Sequence, residues 1–380
     1  MAAVPAFRPL PRPPFTTPTS AGSSFNLQIE GIRAVAIILV VLYHAGVPWF
    51  SGGFIGVDVF LVVSGFLITS QLSRELAKTG HIDLPKFWAR RVRRLVPMGA
   101  IVVVSTVWVG SVLLPPEQVR ELERAGVAAL CYVSNFQFVA ASYDYFGALV
   151  AQNALLHTWS LGVEAQFYLA WPFVLIVTPA RWRLAAISAL VIASFGVSAL
   201  LTPQAPIPAY YLIPTRLWEL AAGGALALSK ISWNSPLLGW AGLALIAIAA
   251  TTFNVHSVFP GYLALLPVLG TVSMMLAARA ERFRWLGWAP IALVGSLSYS
   301  WYLWHWPVIV FADRINSGLG MRIGSVVASF LIALVTYKAA EVPARAWATR
   351  SLRPGTTLLL GALVTFFAIG LTWLAVRGIG

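Results

Sequence analysis

Arg33 and His44 stand in the stretch EGIRAVAIILVVLYH, residues 30–44, with no other charge or imidazole between them. On an α-helix that spacing is about 1100° of rotation, which returns both side chains to within about 20° of one face, at depths about 16 Å apart. An imidazole near neutrality can take a proton from a hydroxyl, or carry an acyl group transiently. A guanidinium can grip phosphate through two parallel hydrogen bonds. A histidine bonded to a neighbouring helix, with an arginine flanking a membrane span, fits the same residues. Taken by themselves they leave both readings open.

Other residues compete for a chemical role. In GGFIGVDVFLVVSGFLIT (52–69), Asp58 lies about one turn into an apolar segment, and Ser64 and Gly65 can open a small pocket. Small-residue helix packing, with Asp58 as a cap or ion-pair partner, is the simpler explanation. KFWARRVRRLVP (86–97) places Arg90, Arg91, Arg93 and Arg94 on an arc of about 160°, as expected of a basic amphipathic helix at an interface. Those arginines could hold a polyphosphate or only contact anionic lipid. In LLHTWSLGVEAQFYLAWP (155–172), His157, Glu164, Tyr168 and Trp171 fall on one stripe, Glu164 about 10 Å below His157. Arg216 and Glu219 in TRLWEL are spaced to pair at i, i+3, a structural rather than catalytic arrangement. In SLSYSWYLWHWP, His305 shares a face with Ser298 amid three tryptophans.

These residues need elements to position them, and composition says which. Of the 380 residues, 59% are hydrophobic and only 10% charged, against roughly 25% charged in a soluble domain. Apolar runs of about 18 residues or more read as membrane spans. They are continuous rather than alternating, which argues helices over a barrel. The expected fold is an all-α, polytopic transmembrane bundle of about 10–11 spans. They fall at 33–50, 54–72, 95–114, 158–178, 183–201, 211–229, 236–253, 259–278, 296–314, 322–340 and 356–376. The semi-polar stretch 115–157 is expected to be re-entrant or interfacial.

With the N-terminus in the cytoplasm, only Arg120, Arg124, Arg216, Arg314, Arg322 and Arg377 of the 26 basic residues fall outside. That distribution obeys the positive-inside rule, and it fails if 115–157 is counted as a span. The rule also accounts for the net charge of +13 without nucleic acid. A single cysteine, Cys131, excludes an intrachain disulfide and a thiolate zinc site. The few histidines lack close ligand spacing, so no metal is expected. No Walker sequence is present, which argues against ATP-driven transport. Residues 1–27 read as a disordered, proline-rich cytoplasmic tail, 28–345 as the transmembrane domain, and 346–380 as a linker with one additional helix. An ionisable group at mid-membrane costs about 2.5–3.5 kcal/mol, so His44, Asp58, Glu164, Arg216, Glu219 and His305 each need a partner or a function.

Taken together, IEGIRAVAIILVVLYH, GVDVFLVVSGFLIT, FWARRVRRLVP, LLHTWSLGVEAQFYL, RLWELAAGGALAL and LSYSWYLWHWPV resemble, in order, the blocks of the acyltransferase-3 family of bacterial membrane acyltransferases. The likeness covers about residues 27–345. It implies transfer of an acyl group, usually acetyl, from cytoplasmic acyl-CoA to a hydroxyl of an extracytoplasmic glycan or glycolipid, by a multi-pass protein of the bacterial cytoplasmic (inner) membrane. Acyl-CoA is a co-substrate, and no resident cofactor is implied. By position, His44 matches the essential histidine and Arg33 its signature arginine. Arg91 and Arg94 match the donor-handling pair, with Arg90 beside them, and Glu164 matches an acidic position. Either Glu164 or Asp58 would orient the imidazole, while Ser64, His157, Tyr168 and His305 would support the site. Glu30 stands where aspartate is common, and Gly162 and Ala165 where serine and glutamate are frequent.

Many members carry an SGNH-type extracytoplasmic domain after an additional helix. Span 356–376 occupies that helix's place, and the partner implied is such a domain or a separate protein of that kind. Two rivals stay in view. One is a flippase or transporter for a lipid-linked glycan. The other is an enzyme that loads an internal carrier residue for a separate extracytoplasmic transferase.

Overall fold

The computed structural model describes residues 22–142, 145–146, 153–229, 231, 235–279 and 284–377. No strand occurs among them. The helices are α1 (Gly22–His44), α2 (Gly56–Thr79), α3 (Leu84–Leu113), α4 (Pro116–Leu130), α5 (Ser134–Ala140), α6 (Trp159–Val177), α7 (Arg183–Leu201) and α8 (Pro206–Tyr211). They continue as α9 (Ile213–Leu228), α10 (Pro236–Thr252), α11 (Leu265–Arg279), α12 (Ala289–Ile315), α13 (Leu319–Thr336), α14 (Val342–Ser351) and α15 (Pro354–Arg377). A π-helical turn, Tyr337–Glu341, joins α13 to α14. Each expected span falls on a helix. Among the described residues, seven helices are long and apolar enough to cross a membrane, and Pro236–Thr252 and Leu265–Ala278 are shorter apolar ones. The chain is a multi-pass membrane protein.

Several boundaries differ from expectation. α1 begins at Gly22, so the segment up to residue 27 assigned to a tail is partly helix; the proline-rich residues 1–21 lie outside the described residues. α1 ends at His44 rather than at 50, which puts the histidine on the last helical residue. The basic stretch 86–97 is not a separate interfacial helix. It is the first part of α3, which runs unbroken from Leu84 to Leu113. The punctuation before it is local: Gly80 ends α2 in the left-handed region at φ 74°, and the Asp83 side chain caps α3 by accepting from the Lys86 N–H at 3.0 Å.

The order of contacts fixes the relative directions of the helices. Glu30 meets Gly295 and His44 meets His305, so α1 and α12 run parallel. Asp58 meets Arg216 and Thr69 meets Gly224, so α2 and α9 are parallel. Ser64 meets Glu164 and Trp171 meets Thr69, which aligns α6 with α2. All three pairings are required if spans alternate and 115–157 does not cross. That stretch forms α4, which turns back antiparallel along α3, with Leu122 against Gly110 and Gly126 against Val103. It reaches Gly162 of α6 at Tyr132, then turns into α5.

Close backbone approach holds the bundle's centre. A Cβ on Gly65 would lie 1.8 Å from the Leu220 carbonyl oxygen, and one on Gly295 would lie 1.8 Å from that of Glu30. Only glycine permits these crossings, the small-residue packing expected where no hydrophobic force separates helix from lipid. α2 is the central element: 78% of its spanning window is buried, against 17% for the windows of α13 and α15. α15 lies along α3, with Gly361 against Val92.

Candidate active site

Three clusters gather the chemistry. The first is a partly open cavity among α1, α2, α3, α6 and α12. Arg33, Arg91 and Arg94 line it together with Ser64, Glu164 and Tyr168 and with Phe60, Ser160 and Tyr302. Arg33 is buried and paired with Glu30 at 2.8 Å. Arg91 lies over the Tyr168 ring at 5.7 Å. The Glu164 carboxylate accepts from Ser64 at 2.5 Å and from the Tyr168 hydroxyl. Glu164 and Tyr168 share a face because they are one turn apart on α6, and α2 supplies Ser64 opposite. Three guanidiniums beside a carboxylate and hydroxyls suit a polyanion with a polar, uncharged arm.

The second cluster is a buried ion triad. Arg216 Nη1 donates to Asp58 at 3.0 Å and to Glu219 at 2.9 Å, all three side chains at most 1% exposed. The guanidinium also faces the rings of Tyr210 (4.8 Å), Phe259 (5.2 Å) and Trp159 (5.4 Å), a cation–π cage.

The third cluster surrounds His44. Its Nδ1 lies 2.9 Å from His305 Nε2, and its Nε2 lies 3.0 Å from the Tyr145 hydroxyl. The Trp306 ring packs 4.4 Å from the imidazole. Tyr145 stacks on Tyr210 at 4.4 Å, so the aromatic cage of Arg216 supports the tyrosine that faces His44. His157 lies in a 3-10 turn just before α6, with its ring 5.6 Å from that of His305. His44 is partly exposed whereas His305 is fully buried. A hydroxyl on an imidazole nitrogen is the arrangement of a nucleophile with its base.

A family model described as an acyltransferase domain matches residues 26–340. The chain belongs to the acyltransferase-3 family. Among its relatives, the Listeria monocytogenes protein named peptidoglycan O-acetyltransferase OatA is 31% identical over 344 residues, covering 83% of this chain and 55% of the relative. The Staphylococcus aureus (strain NCTC 8325 / PS 47) O-acetyltransferase OatA is 30% identical over 347 residues, covering 83% and 57%. The chain thus spans little more than half the length of the curated relatives it matches. No solved structure gives a significant match.

Within the family frame, the structure brings Arg33, Arg91, Arg94, Ser64, Glu164 and Tyr168 into one cavity and places His44, His305 and His157 together elsewhere. Four expectations are corrected. Asp58 does not orient His44, because Arg216 holds its carboxylate. Glu164 does not either; its bonds go to Ser64 and Tyr168, while both His44 nitrogens have His305 and Tyr145. Arg90 leaves the basic group as well. It pairs with Glu75 at 3.2 Å, since one residue along a helix turns a side chain by about 100° away from Arg91. The stripe through His157 also fails, because that residue precedes the helix.

Tyr145, Tyr302 and Ser298 were not anticipated as site residues. Tyr145 lies in the semi-polar stretch 115–157, whose density of tyrosine, asparagine and glutamine was the available signal.

The triad yields a separable prediction. Arg216→Met strands two buried carboxylates, a change worth about 3–5 kcal/mol, and should sharply reduce folded protein, read by thermal unfolding in detergent. Asp58→Asn keeps an acceptor for Arg216 and should retain acyl transfer within about tenfold. Loss of transfer in a normally folded Asp58→Asn protein would restore a chemical role to Asp58.

Proposed function

We propose that this chain is the membrane core of an O-acyltransferase. It takes an acyl group, acetyl foremost, from acyl-CoA on the cytoplasmic face and delivers it to a hydroxyl on the outer face of the bacterial cytoplasmic membrane. One observation carries this reading. A cavity with three arginines and a partly exposed, hydroxyl-bonded imidazole occur at two levels of the same helix, α1. Arg33, Arg91 and Arg94 bind the CoA phosphates by charge-assisted hydrogen bonds. Ser64, Glu164, Tyr168 and Ser298 offer partners to the amides and hydroxyl of the pantetheine arm. His44 takes the proton of the attacking hydroxyl. The relatives' names favour peptidoglycan as the glycan acceptor. The final transfer is assigned to an SGNH-type extracytoplasmic domain or protein if the membrane core only loads a carrier.

The Tyr145 contact favours that loading variant. The Tyr145 proton passes to His44 Nε2, the phenolic oxygen bonds to the thioester carbonyl carbon, and the carbon–sulfur bond breaks. The departing CoA thiolate takes that proton back from His44 Nε2 and leaves as thiol, which returns the imidazole to its neutral, basic form. A later acceptor hydroxyl reverses the sequence at the tyrosyl ester. Purified protein given radiolabelled acetyl-CoA and soluble peptidoglycan fragments should pass label to the fragments, or hold it as an ester on the protein. A flippase would do neither.

A further inference from the structure

The pair His44–His305 contains more information than a contact. His305 Nδ1 lies 2.6 Å from the Tyr302 carbonyl oxygen and 3.2 Å from that of Trp301. A carbonyl oxygen only accepts, so Nδ1 must carry hydrogen. A neutral imidazole has one donor and one acceptor, which leaves His305 Nε2 as an acceptor. Its partner 2.9 Å away, His44 Nδ1, must then be the donor. His44 Nε2 is left with a free lone pair, aimed at the Tyr145 hydroxyl 3.0 Å away. The chain of bonds has one consistent neutral assignment, from a backbone carbonyl of α12 to a basic nitrogen on α1. A doubly protonated His305 would reverse the pair, but it is 0% exposed and no described carboxylate bonds either ring. A buried, unpaired charge is strongly disfavoured.

We infer that His305 is the positioning residue that fixes His44 in the tautomer with its base at Nε2. It fills the place that a carboxylate occupies beside the histidine of a Ser-His-Asp triad. The substitution of a neutral acceptor for a carboxylate has a consequence. A carboxylate would stabilise imidazolium and hold the proton on His44; His305 orients the ring without that charge. Parallel packing of α1 and α12, set by the Glu30–Gly295 approach, brings the two rings into register. Among the described residues, the other titratable groups facing the pair are His157, Tyr302, Tyr145 and Tyr43, none of them an acid of the carboxylate type. The inference rests on His44 as the base of the proposed reaction.

The test compares His305→Leu, His305→Gln and His305→Glu in the full chain, in proteoliposomes, with radiolabelled acetyl-CoA as donor and peptidoglycan fragments as acceptor. Leucine fills the space without an acceptor, and kcat should fall about 10²-fold or more, with KM for acetyl-CoA unchanged. The glutamine amide oxygen can replace Nε2 and should restore kcat to within about tenfold of the native protein. Glutamate adds a carboxylate, favours protonated His44, and should move the acid limb of the kcat–pH profile up by about one unit or more. A packing role would move none of these selectively. Equal kcat in the leucine and glutamine variants, high or low, overturns the inference. If His44→Ala is inactive in the same assay, the base assignment stands while the positioning role falls. If His44→Ala transfers at the native rate, both fall.

Discussion

Replacing His44 with alanine is expected to abolish transfer from acetyl-CoA, by about 10³-fold or more, in protein that inserts and folds normally. General-base catalysis alone supplies about 10²–10⁴-fold. Loss of the imidazole also removes the group that binds the Tyr145 hydroxyl. The fold should tolerate the change. His44 is the last residue of α1 and partly exposed, and the closest packing of α1 lies toward its other end, at the Glu30–Gly295 crossing. Donor binding should survive, because Arg33, Arg91 and Arg94 belong to a cavity that His44 does not line. Equilibrium binding of acetyl-CoA within twofold of the native protein, with transfer gone, is the combined signature. Normal transfer by His44→Ala would remove the catalytic assignment.

The second large effect is on the donor. Arg91→Ala with Arg94→Ala removes two guanidiniums from the cavity wall. Charge-assisted hydrogen bonds contribute about 1.5–3 kcal/mol each, so the pair should raise KM for acetyl-CoA about 10²-fold or more. The loss should exceed that of Arg90→Ala with Arg93→Ala, although both double variants remove the same formal charge. Arg90 is engaged by Glu75, and neither Arg90 nor Arg93 lines the cavity. The contrast separates a donor site from general attraction of an anion to a basic surface. Equal effects of the two double variants would reduce the cavity arginines to topology determinants.

The legible part of this molecule was what one helix carries by itself. Arg33 and His44 share a face because helix geometry says so, and the apolar runs and charge distribution gave the spans and their alternation. The parallel pairing of α1 with α12 and of α2 with α9 agrees with that alternation. What crosses between helices was not legible. Nothing in the period of α6 says that Glu164 meets Ser64 of α2, or that Asp58 is taken by Arg216. The arc of arginines on α3 was correct as an arc, but its division between Glu75 and the cavity depends on where α2 lies. Tyr145 belongs to an irregular segment with no period to read, and its contact with His44 is visible only in the folded chain. The family blocks could point to His305 as a member of the site; its bond to His44 and the carbonyls behind it are tertiary facts.

The central claim is that one chain receives an acyl group beside Arg33, Arg91 and Arg94 and releases it at the His44 end of α1. The most direct measurement uses sealed proteoliposomes sorted by orientation, with radiolabelled acetyl-CoA confined to one side. Label should leave acetyl-CoA only when the face nearer the arginines meets the donor, and should appear in peptidoglycan fragments, or in an ester on the outer part of the protein, on the opposite side. Transfer with donor and product on the same side, or equal transfer from either side, would contradict the account.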